Sequence, residues 1–498
     1  MVESWTRARR AAAALALLLS TLAVLAAPAA AAPKGQLSHA GRWITDARGR
    51  VVVLHGTNMV YKVPPYYPAA AGFGADDAAF LRSIGFNAVR VGVIWKALEP
   101  EPGVYDEAYL DRIAGTVRTL AKQGVFSVLD FHQDLYNARF QGEGAPDWAV
   151  QDDGLPAQPR LGFPTNYYSM PALQAALRHF WENSPGPGGV GLQDRFAAAW
   201  RHVAERFAGN PAVAGYEIFN EPFPGQGYLA CYSPAGCPEF DAQLTAFYER
   251  VDAAIRGADR RTLVWYEPNV LFNFGAVTRV GPLADPRTGF AFHTYCLTNE
   301  AQGCASHATT FANADAHAAA TGAALMLTEF GATSSPTDLH QVLDLADRHM
   351  VSWLEWMYCG CQDPTTAAVP DEQATVYDPH RPPRGSNLAK GTIAALVEPY
   401  PQAVAGTPLS WGFARGSRTF RLRYATRKAS GTGAFPAGSV TEIAAPRRTY
   451  PHGYGVRVSG GELLSAPGAA TIRVASCRRG GRIAVVVGPR VRGSRTCG

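Results

Sequence analysis

Short apolar runs alternate with longer amphipathic segments through most of this chain. Segments such as Tyr109–Lys122 and Leu192–Phe207 have the apolar spacing of helices. Runs that are apolar throughout are typical of parallel strands covered on both faces. The pattern therefore predicts a closed (β/α)8 barrel, a TIM barrel, with an open doubly wound sheet as the alternative. The eight predicted strands are Val51–Leu54, Asn87–Val93, Phe126–Phe131, Val213–Phe219, Leu263–Tyr266, Gly289–His293, Ala324–Thr328 and Val351–Trp356.

The composition of the chain changes near residue 402. Residues 403–498 contain sixteen Lys and Arg but only two acidic residues, Glu442 and Glu462. Segments such as Thr419–Tyr424 and Arg482–Val487 read as strands between Gly and Pro turns. We therefore expect a barrel at 33–402 and a C-terminal β-sandwich at 403–498. The charge fits a solvated surface or, alternatively, a domain attracted to anionic membranes or acidic glycans.

The first 32 residues have the pattern of a targeting segment. Arg7, Arg9 and Arg10 precede the apolar run Ala11–Leu25, and small residues follow to Ala32. This order predicts a secretory signal peptide at 1–32 and a secreted protein. An uncleaved membrane anchor is the alternative, although the apolar run is short for a membrane span.

All eight cysteines follow this segment, in four pairs of sequence neighbours. An even number in an exported chain indicates disulfides. Local pairing is our hypothesis and metal binding is the alternative; the pairs are Cys231 and Cys237, Cys296 and Cys304, Cys359 and Cys361, and Cys477 and Cys497.

The sequence Asn220-Glu221-Pro222 follows the predicted strand that ends at Phe219. A barrel of this kind carries its reactive groups at the carboxyl ends of its strands. Glu221 is therefore expected to project into a cleft, and Asn220 can hydrogen-bond a substrate hydroxyl beside the reacting bond.

A second carboxyl group, Glu329, follows the predicted strand Ala324–Thr328. Two carboxyl groups that face one bond are what glycoside hydrolysis requires, and in retaining enzymes they lie about 5 Å apart. We assign Glu329 as the nucleophile and Glu221 as the acid and then the base. The alternative for each is a surface or salt-bridged carboxylate. This chemistry requires no metal and no cofactor, and the absence of a G-x-S-x-G motif argues against a serine hydrolase.

Three further glutamates compete for these roles. Glu267 ends the fifth predicted strand, Glu355 lies in the eighth, and Glu217 lies four residues before Glu221. We expect them to support the site, contact substrate or form buried pairs.

The order of these residues resembles glycoside hydrolase clan A, and family 5 within it. The resemblance implies that Arg90 and His293 support the catalytic carboxylates and that Tyr295 contacts the nucleophile. It also implies that His132 binds substrate and that Trp356 forms the floor of the sugar site. Taken singly, each residue has an ordinary structural alternative, such as a salt bridge, a core histidine or core packing.

Within family 5 the chain resembles the endoglycoceramidases along both predicted domains. The similar segments include Tyr61–Pro65, Asp130–Tyr136, Phe180–Trp181 and Arg448–Tyr454. The resemblance implies that Lys62 and Asp134 bind sugar hydroxyls and that Trp181 stacks on sugar. For Lys62 and Asp134 the alternative is a surface ion or a turn cap.

The implied substrate is a glycosphingolipid, cleaved between glycan and ceramide by double displacement. Aromatic residues on loops, among them Phe73, Phe272 and Phe274, offer an apolar slot for lipid or a stacking surface for glycan. We expect a monomer with no nucleic-acid partner and a membrane-surface contact through the basic C-terminal domain. The alternatives are a family 5 endoglucanase, mannanase or β-glucosidase and, in another class, a non-catalytic glycan- or lipid-binding protein.

Overall fold

The computed structural model describes residues 35–296, 302–366, 368–493 and 497. Eight parallel strands close into a barrel in the order β10-β11-β4-β5-β6-β7-β8-β9, which confirms the (β/α)8 prediction and rules out an open sheet. The barrel strands are β4 (His55–Met59), β5 (Ala88–Val93), β6 (Phe126–Phe131), β7 (Val213–Glu217), β8 (Val264–Tyr266), β9 (Thr288–Thr294), β10 (Ala324–Phe330) and β11 (Ser352–Glu355).

Helices connect the barrel strands and cover the outside of the barrel. Their inward faces are apolar; in the helix Glu107–Lys122, for example, Leu110, Ile113, Val117 and Leu120 are buried. The helices are α1 (Ala75–Ser83), α2 (Trp95–Leu98), α3 (Glu107–Lys122), α4 (Asn166–Ser169), α5 (Pro171–Trp181), α6 (Leu192–Phe207), α7 (Pro238–Ala258), α8 (Ala305–Thr321), α9 (Pro336–His349) and α10 (Lys390–Leu396). Two short 3-10 helices, Gly225–Tyr232 and Val270–Phe274, lie in the loops after β7 and β8.

The predicted position of the first barrel strand was wrong. The structure begins the barrel at His55–Met59, and the more apolar segment Val51–Val52 pairs outside it as β3. The polar side chains of His55, Thr57 and Asn58 are nevertheless buried. Asn58 accepts from Arg90 inside the barrel and Thr57 donates to Glu355 on the neighbouring strand. His55 stacks on Trp353 and Tyr400.

A large aromatic side chain fills the lower part of the barrel. Trp265 is fully buried among small and apolar residues from neighbouring strands. A Cβ atom would lie 2.1 Å from its ring at Gly215 and 2.2 Å from it at Gly289. Glycine is required at both positions because the indole occupies the space of a side chain. The barrel is therefore a packed core below the site, not a pore.

The C-terminal domain consists of two sheets, and the strands within each sheet are antiparallel. One has the order β1-β2-β3-β12-β15-β18-β17, and the other has the order β13-β14-β19-β16. The strands are β1 (Ser38–Ala40), β2 (Trp43–Thr45), β3 (Val51–Val52), β12 (Tyr400–Val404), β13 (Thr407–Ala414), β14 (Thr419–Ala425), β15 (Val440–Ala444), β16 (Gly455–Ser459), β17 (Gly461–Leu463), β18 (Thr471–Ser476) and β19 (Arg482–Gly488).

Strands from both ends of the chain build the seven-stranded sheet. The segment 38–52 precedes the barrel in sequence but supplies β1, β2 and β3 to this sheet. The boundary expected between residues 402 and 403 falls inside the strand Tyr400–Val404. Strand pairing therefore ties the two domains together at the start of the barrel.

The cysteines pair as local neighbours: Cys231–Cys237, Cys296–Cys304, Cys359–Cys361 and Cys477–Cys497. The expected signal peptide at 1–32 lies outside the described residues. Within the described ranges, no helix has both the length and the apolar character needed to cross a membrane.

Candidate active site

A cleft with a cavity volume of about 210 Å³ opens at the carboxyl ends of the barrel strands. Five of the predicted catalytic and substrate-binding residues line it: Lys62, Asp134, Glu221, Tyr295 and Trp356. Its remaining lining is largely apolar or uncharged and comes from the loops: Phe163, Pro164, Val270, Asn273, Phe274, Cys296, Gly331, Ala332, Thr365, Thr366 and Ala368.

Glu221 follows β7 and is held from two sides. Its Oε1 atom accepts a 2.6 Å hydrogen bond from Asn273 Nδ2 and lies 2.9 Å from His293 Nδ1. Its backbone N–H donates to Glu267 Oε2 at 3.1 Å. The φ angle of Glu221 is 45°, in the left-handed region, and strain of this kind occurs at functional sites. The backbone therefore departs from the strand direction where the carboxyl group enters the cleft.

Glu329 projects from β10 at a β-bulge. Leu327 pairs with Phe292 of β9 while Glu329 pairs with the next residue, His293, so Thr328 is the extra residue. The bulge lets Thr328 bond Glu217 inside the barrel while Glu329 accepts a 2.7 Å hydrogen bond from Tyr295. The consecutive side chains of Thr328 and Glu329 can thus both reach polar partners inside the barrel.

The two carboxyl groups face each other. One oxygen of Glu221, one oxygen of Glu329 and a ring nitrogen of His293 all lie within 4.8 Å of one another. This separation is close to the roughly 5 Å of enzymes in which one carboxylate attacks the sugar directly, and leaves less room for an intervening water than the 6.5–9.5 Å of inverting enzymes.

Arg90 is the centre of the polar layer beneath these carboxylates, and its side chain is fully buried. It donates to Glu329 and contacts Glu217 at 2.9 Å, Asp130 at 3.0 Å and Glu267 at 3.3 Å. A planar guanidinium can bond several carboxylates in fixed directions. Arg90 therefore fixes the position of Glu329.

The pKa values of the carboxyl groups around Arg90 are shifted in opposite directions. Burial raises the pKa of Glu217, but the charge of Arg90 outweighs this and lowers it to about 2. Burial raises the pKa of Glu267 well above its usual range. For His293, burial lowers the pKa, but Glu267 and Glu329 more than offset this effect, so its pKa lies well above the ordinary value. These surroundings thus favour the ionised form of Glu217, the neutral form of Glu267 and the cationic form of His293.

Glu329 experiences opposing effects. Burial raises its pKa, while the nearby charges of His293 and Arg90 act in the opposite direction; the pKa remains above its ordinary value. The two cations therefore favour the ionised form of the Glu329 carboxyl group, which burial disfavours.

Lys62 lies in a second buried ion network at the same cleft. Its Nζ atom is 2.6 Å from Asp134, 3.2 Å from Asp363 and 2.9 Å from Thr365 Oγ1. It also lies 4.4 Å from the centre of the Trp356 ring. Burial lowers the pKa of Lys62, but the negative charges of Asp134 and Asp363 raise it by more. The pKa therefore lies above its ordinary value, and the amine is charged. Lys62 and Asp134 are thus neither a surface ion nor a turn cap.

His132 lies behind the cleft lining. Its ring stacks on Trp356, with centroids 5.3 Å apart, and its Nδ1 atom is 2.7 Å from Asp130. Burial lowers the pKa of His132, but Asp130 outweighs burial and raises it to about 9. His132 therefore supports Trp356 from below as a cation.

Like His132, the predicted substrate-binding residues Trp181 and Asn220 are absent from the cleft lining. Trp181 lies outside the cleft lining; it packs against Phe219, Phe240 and Phe247 and donates to the Phe223 carbonyl. Stacking of Trp181 on sugar in this cleft does not fit that placement. Asn220 is buried, accepts from Arg90 and donates to the Gln133 carbonyl, so its amide is already engaged.

The aromatic residues that were predicted to lie on loops occupy two kinds of position. Phe274 lines the cleft, but Phe73 and Phe272 are core residues. The sequence reading missed Asn273, Asp363 and Thr365, although all three are polar residues on loops that follow barrel strands. A position on such a loop is the only hint of a site residue that the sequence offers for them. Many other residues share that position, so it could not single out these three.

Among the residues that the structure describes, three groups of side chains have the spacing of metal ligands: His132, Asp134 and Glu143; Glu217, Glu267 and His293; and Glu221, His293 and Glu329. Each group lies beside a cation of the chain itself. Lys62 contacts Asp134, and Arg90 contacts Glu217, Glu267 and Glu329. The positive charge that a metal would supply to these carboxylates is therefore already provided by side chains.

Comparison with known proteins agrees with this geometry. Residues 45–362 match the family "Cellulase (glycosyl hydrolase family 5)", and residues 399–487 match the "Glycoside hydrolase family 5 C-terminal domain". The chain is 34% identical to "Endoglycoceramidase I" of Rhodococcus hoagii (strain 103S) over 462 residues, which cover 89% of this chain and 86% of the relative.

Solved structures of endo-glycoceramidase II from Rhodococcus sp. have the same fold. The lactosyl-enzyme intermediate of that protein superposes with a TM-score of 0.72 at 28% identity, over 92% of this chain and 100% of the other. Its ganglioside GM3 complex has a TM-score of 0.72 at 28% identity, over 90% and 99% of the two chains.

Proposed function

This chain belongs to glycosyl hydrolase family 5, and we propose that it is an endoglycoceramidase that releases intact glycans from glycosphingolipids by double displacement. The family membership makes the chain a glycoside hydrolase. We propose its substrate and the role of each residue. The observation that carries the mechanism is the separation of at most 4.8 Å between carboxylate oxygens of Glu221 and Glu329. At that distance one carboxylate reaches the anomeric carbon while the other reaches the glycosidic oxygen.

In the first step, Glu329 attacks the anomeric carbon as Glu221 protonates the glycosidic oxygen. The sugar–oxygen bond breaks, ceramide leaves as the free alcohol, and a glycosyl ester forms on Glu329. Arg90 and Tyr295 both donate hydrogen bonds to Glu329, so they favour the ionised nucleophile. The solved relative with a lactosyl-enzyme intermediate supports a covalent route of this kind.

In the second step, Glu221, now ionised, accepts a proton from water. The water oxygen attacks the anomeric carbon, the ester bond breaks, and Glu329 is released as a carboxylate. His293 and Asn273 hold Glu221 through both steps, since each contacts its Oε1 atom. The product retains the anomeric configuration of the substrate.

Two properties of the cleft support a glycolipid as substrate. Lys62 and Asp134 present charged groups suited to sugar hydroxyls, and Lys62 lies over the aromatic face of Trp356. Phe163, Val270 and Phe274 line the same cavity with apolar surface, which suits the beginning of a lipid chain. The relatives named as endoglycoceramidases support the same substrate class.

We also propose that the protein is exported. Four disulfides between local neighbours support this proposal, because such bonds persist in oxidising compartments.

The test is a panel of substrates incubated with the purified protein in detergent. Lactosylceramide should yield intact lactose and ceramide, and Glu329→Gln should remove that activity as a control for contamination. Release of glucose only, from glucosylceramide or aryl glucosides, would assign a β-glucosidase instead. Activity confined to cello- or manno-oligosaccharides would assign a polysaccharide hydrolase and overturn the proposal.

A further inference from the structure

The four-stranded sheet of the C-terminal domain carries an exposed set of arginines on its outer side. Along β14, Phe420, Leu422 and Tyr424 are buried, while Arg421 and Arg423 alternate with them and are exposed. Arg457 of β16 and Arg482 of β19 are exposed on the same sheet. We refer to Arg421, Arg423, Arg457 and Arg482 as the arginine face.

The pairing register brings these side chains to one side of the sheet. Val486 of β19 pairs with Arg421 on one neighbour and with Arg457 on the other. Arg423 pairs with Ala484, which is two residues from Arg482 on the same strand. With strands about 4.8 Å apart, Arg421 and Arg457 are about 10 Å apart across the sheet. Four positive charges therefore surround the small, partly exposed side chains of Ala484 and Val486.

Within the described parts of the chain, none of these four arginines forms an ion pair with a carboxylate. Arg415 and Arg473 of the same domain do form such pairs. Arg415, at the end of the same sheet, contacts Asp344 and the partly buried Glu398 on the barrel side. The two acids of the C-terminal segment, Glu442 and Glu462, lie on β15 and β17 of the other sheet. Glu442 faces Arg50 and Arg473 there.

Neither packing nor ion pairing within the described chain accounts for the arginine face. Like charges held this close repel each other, and the repulsion is relieved by an external anion. We propose that the arginine face is a docking surface for the anionic headgroups of a lipid bilayer, and that it holds the enzyme at the membrane that contains its substrate.

The shape of this surface favours a bilayer over an acidic glycan chain. The face is the outer side of a sheet and not a groove. Its aromatic residues Trp411, Phe420 and Tyr424 point into the sandwich core, so they are not available to stack on sugars. An extended planar array of phosphates matches a flat array of arginines. The proposal rests on the proposed function in one respect: docking at a membrane brings the enzyme to its substrate only if that substrate is a membrane glycolipid.

Vesicle binding tests the docking independently of hydrolysis. Protein is sedimented with phosphatidylcholine vesicles that contain or lack phosphatidylglycerol, with no glycolipid present. Binding is expected only to the anionic vesicles and should weaken steeply with added salt. Arg421→Gln/Arg423→Gln should reduce partitioning about 25-fold, since one cation at an anionic surface contributes roughly a fivefold effect.

The matched control is Arg447→Gln/Arg448→Gln, which removes the same charge from an exposed turn of the same domain. This control should bind anionic vesicles almost as well as the unmodified protein. Equal loss in both variants would show that overall charge, not the arginine face, drives binding, and would overturn the proposal. So would equal binding to neutral vesicles, no vesicle binding, or retention on heparin without vesicle binding. Lactosylceramide hydrolysis in detergent reports separately on the proposed function.

Discussion

The hydroxyl of Tyr295 donates a 2.7 Å hydrogen bond to Oε2 of Glu329, the carboxyl group that we assign as the nucleophile. A hydrogen bond to the charged form lowers the pKa of a carboxyl group, so its removal raises that pKa. Tyr295→Phe should therefore move the acidic limb of the kcat/KM profile to higher pH. It should also lower kcat/KM at neutral pH about tenfold to a hundredfold, the value of one hydrogen bond to a charged group. An unchanged acidic limb would show that Glu329 does not control it.

Glu221 should matter most when the leaving group is poor. Glu221→Ala removes the proton donor, so hydrolysis of lactosylceramide should fall about a thousandfold, within the usual range for general acid catalysis. Formation of the glycosyl-enzyme from a dinitrophenyl lactoside should change little, because that leaving group departs without a proton. Burst kinetics with the two substrates would measure the contrast. Equal losses would argue against the acid role.

Lys62 should contribute to stability as well as to binding. Its removal leaves Asp134 and Asp363 buried without their cation, and breaking such a pair costs about 3–5 kcal/mol. Lys62→Met should lower the free energy of unfolding in urea by that amount, and adding Asp134→Asn should recover part of it. Lys96→Met is the control, since its 2.6 Å pair is with an exposed carboxylate, Asp147, and a pair of this kind is worth about 0–1 kcal/mol. Equal effects of the two lysine variants would contradict the network.

His132 should give the fold a pH dependence on the alkaline side. Its pKa is raised to about 9 in the folded protein, against an ordinary value near 6.5. The stabilisation is therefore complete below about pH 6.5 and disappears as the pH rises through 9, a change of up to about 3 kcal/mol. The stability difference between wild type and His132→Gln should shrink over that interval. A constant difference would mean that His132 is neutral throughout.

The sequence predicted the parts of this protein that depend on local pattern. Glu221 and Glu329 could be found because each ends an apolar strand, and barrel geometry then sends both into one cleft. The sequence reading placed the first strand at Val51–Leu54 because its side chains are apolar. The true strand, His55–Met59, carries polar residues whose partners lie on the strands at the other end of the barrel sequence, β10 and β11.

The rest depends on contacts between residues distant in sequence. The pairing of β3 with β12 joins residues 51–52 to 403–404, which no local pattern reveals. Asp363 approaches Lys62 from the loop after β11, a strand that pairs with β4 although about 300 residues separate the two in sequence. Phe180-Trp181 suggested a sugar platform, but the aromatic core outside the barrel uses this tryptophan. In each case the position of a partner element decides the role of the residue.

The most direct test of the central claim is identification of the glycosylated residue. The protein is incubated with an activated fluorosugar, whose fluorine slows hydrolysis of the glycosyl-enzyme, and the peptides are then analysed by mass spectrometry. We predict one glycosyl adduct on the peptide that contains Glu329, and none when Glu329→Gln is treated in the same way. An adduct on Glu221, or hydrolysis of natural substrate with inversion and no adduct, would contradict the assignment.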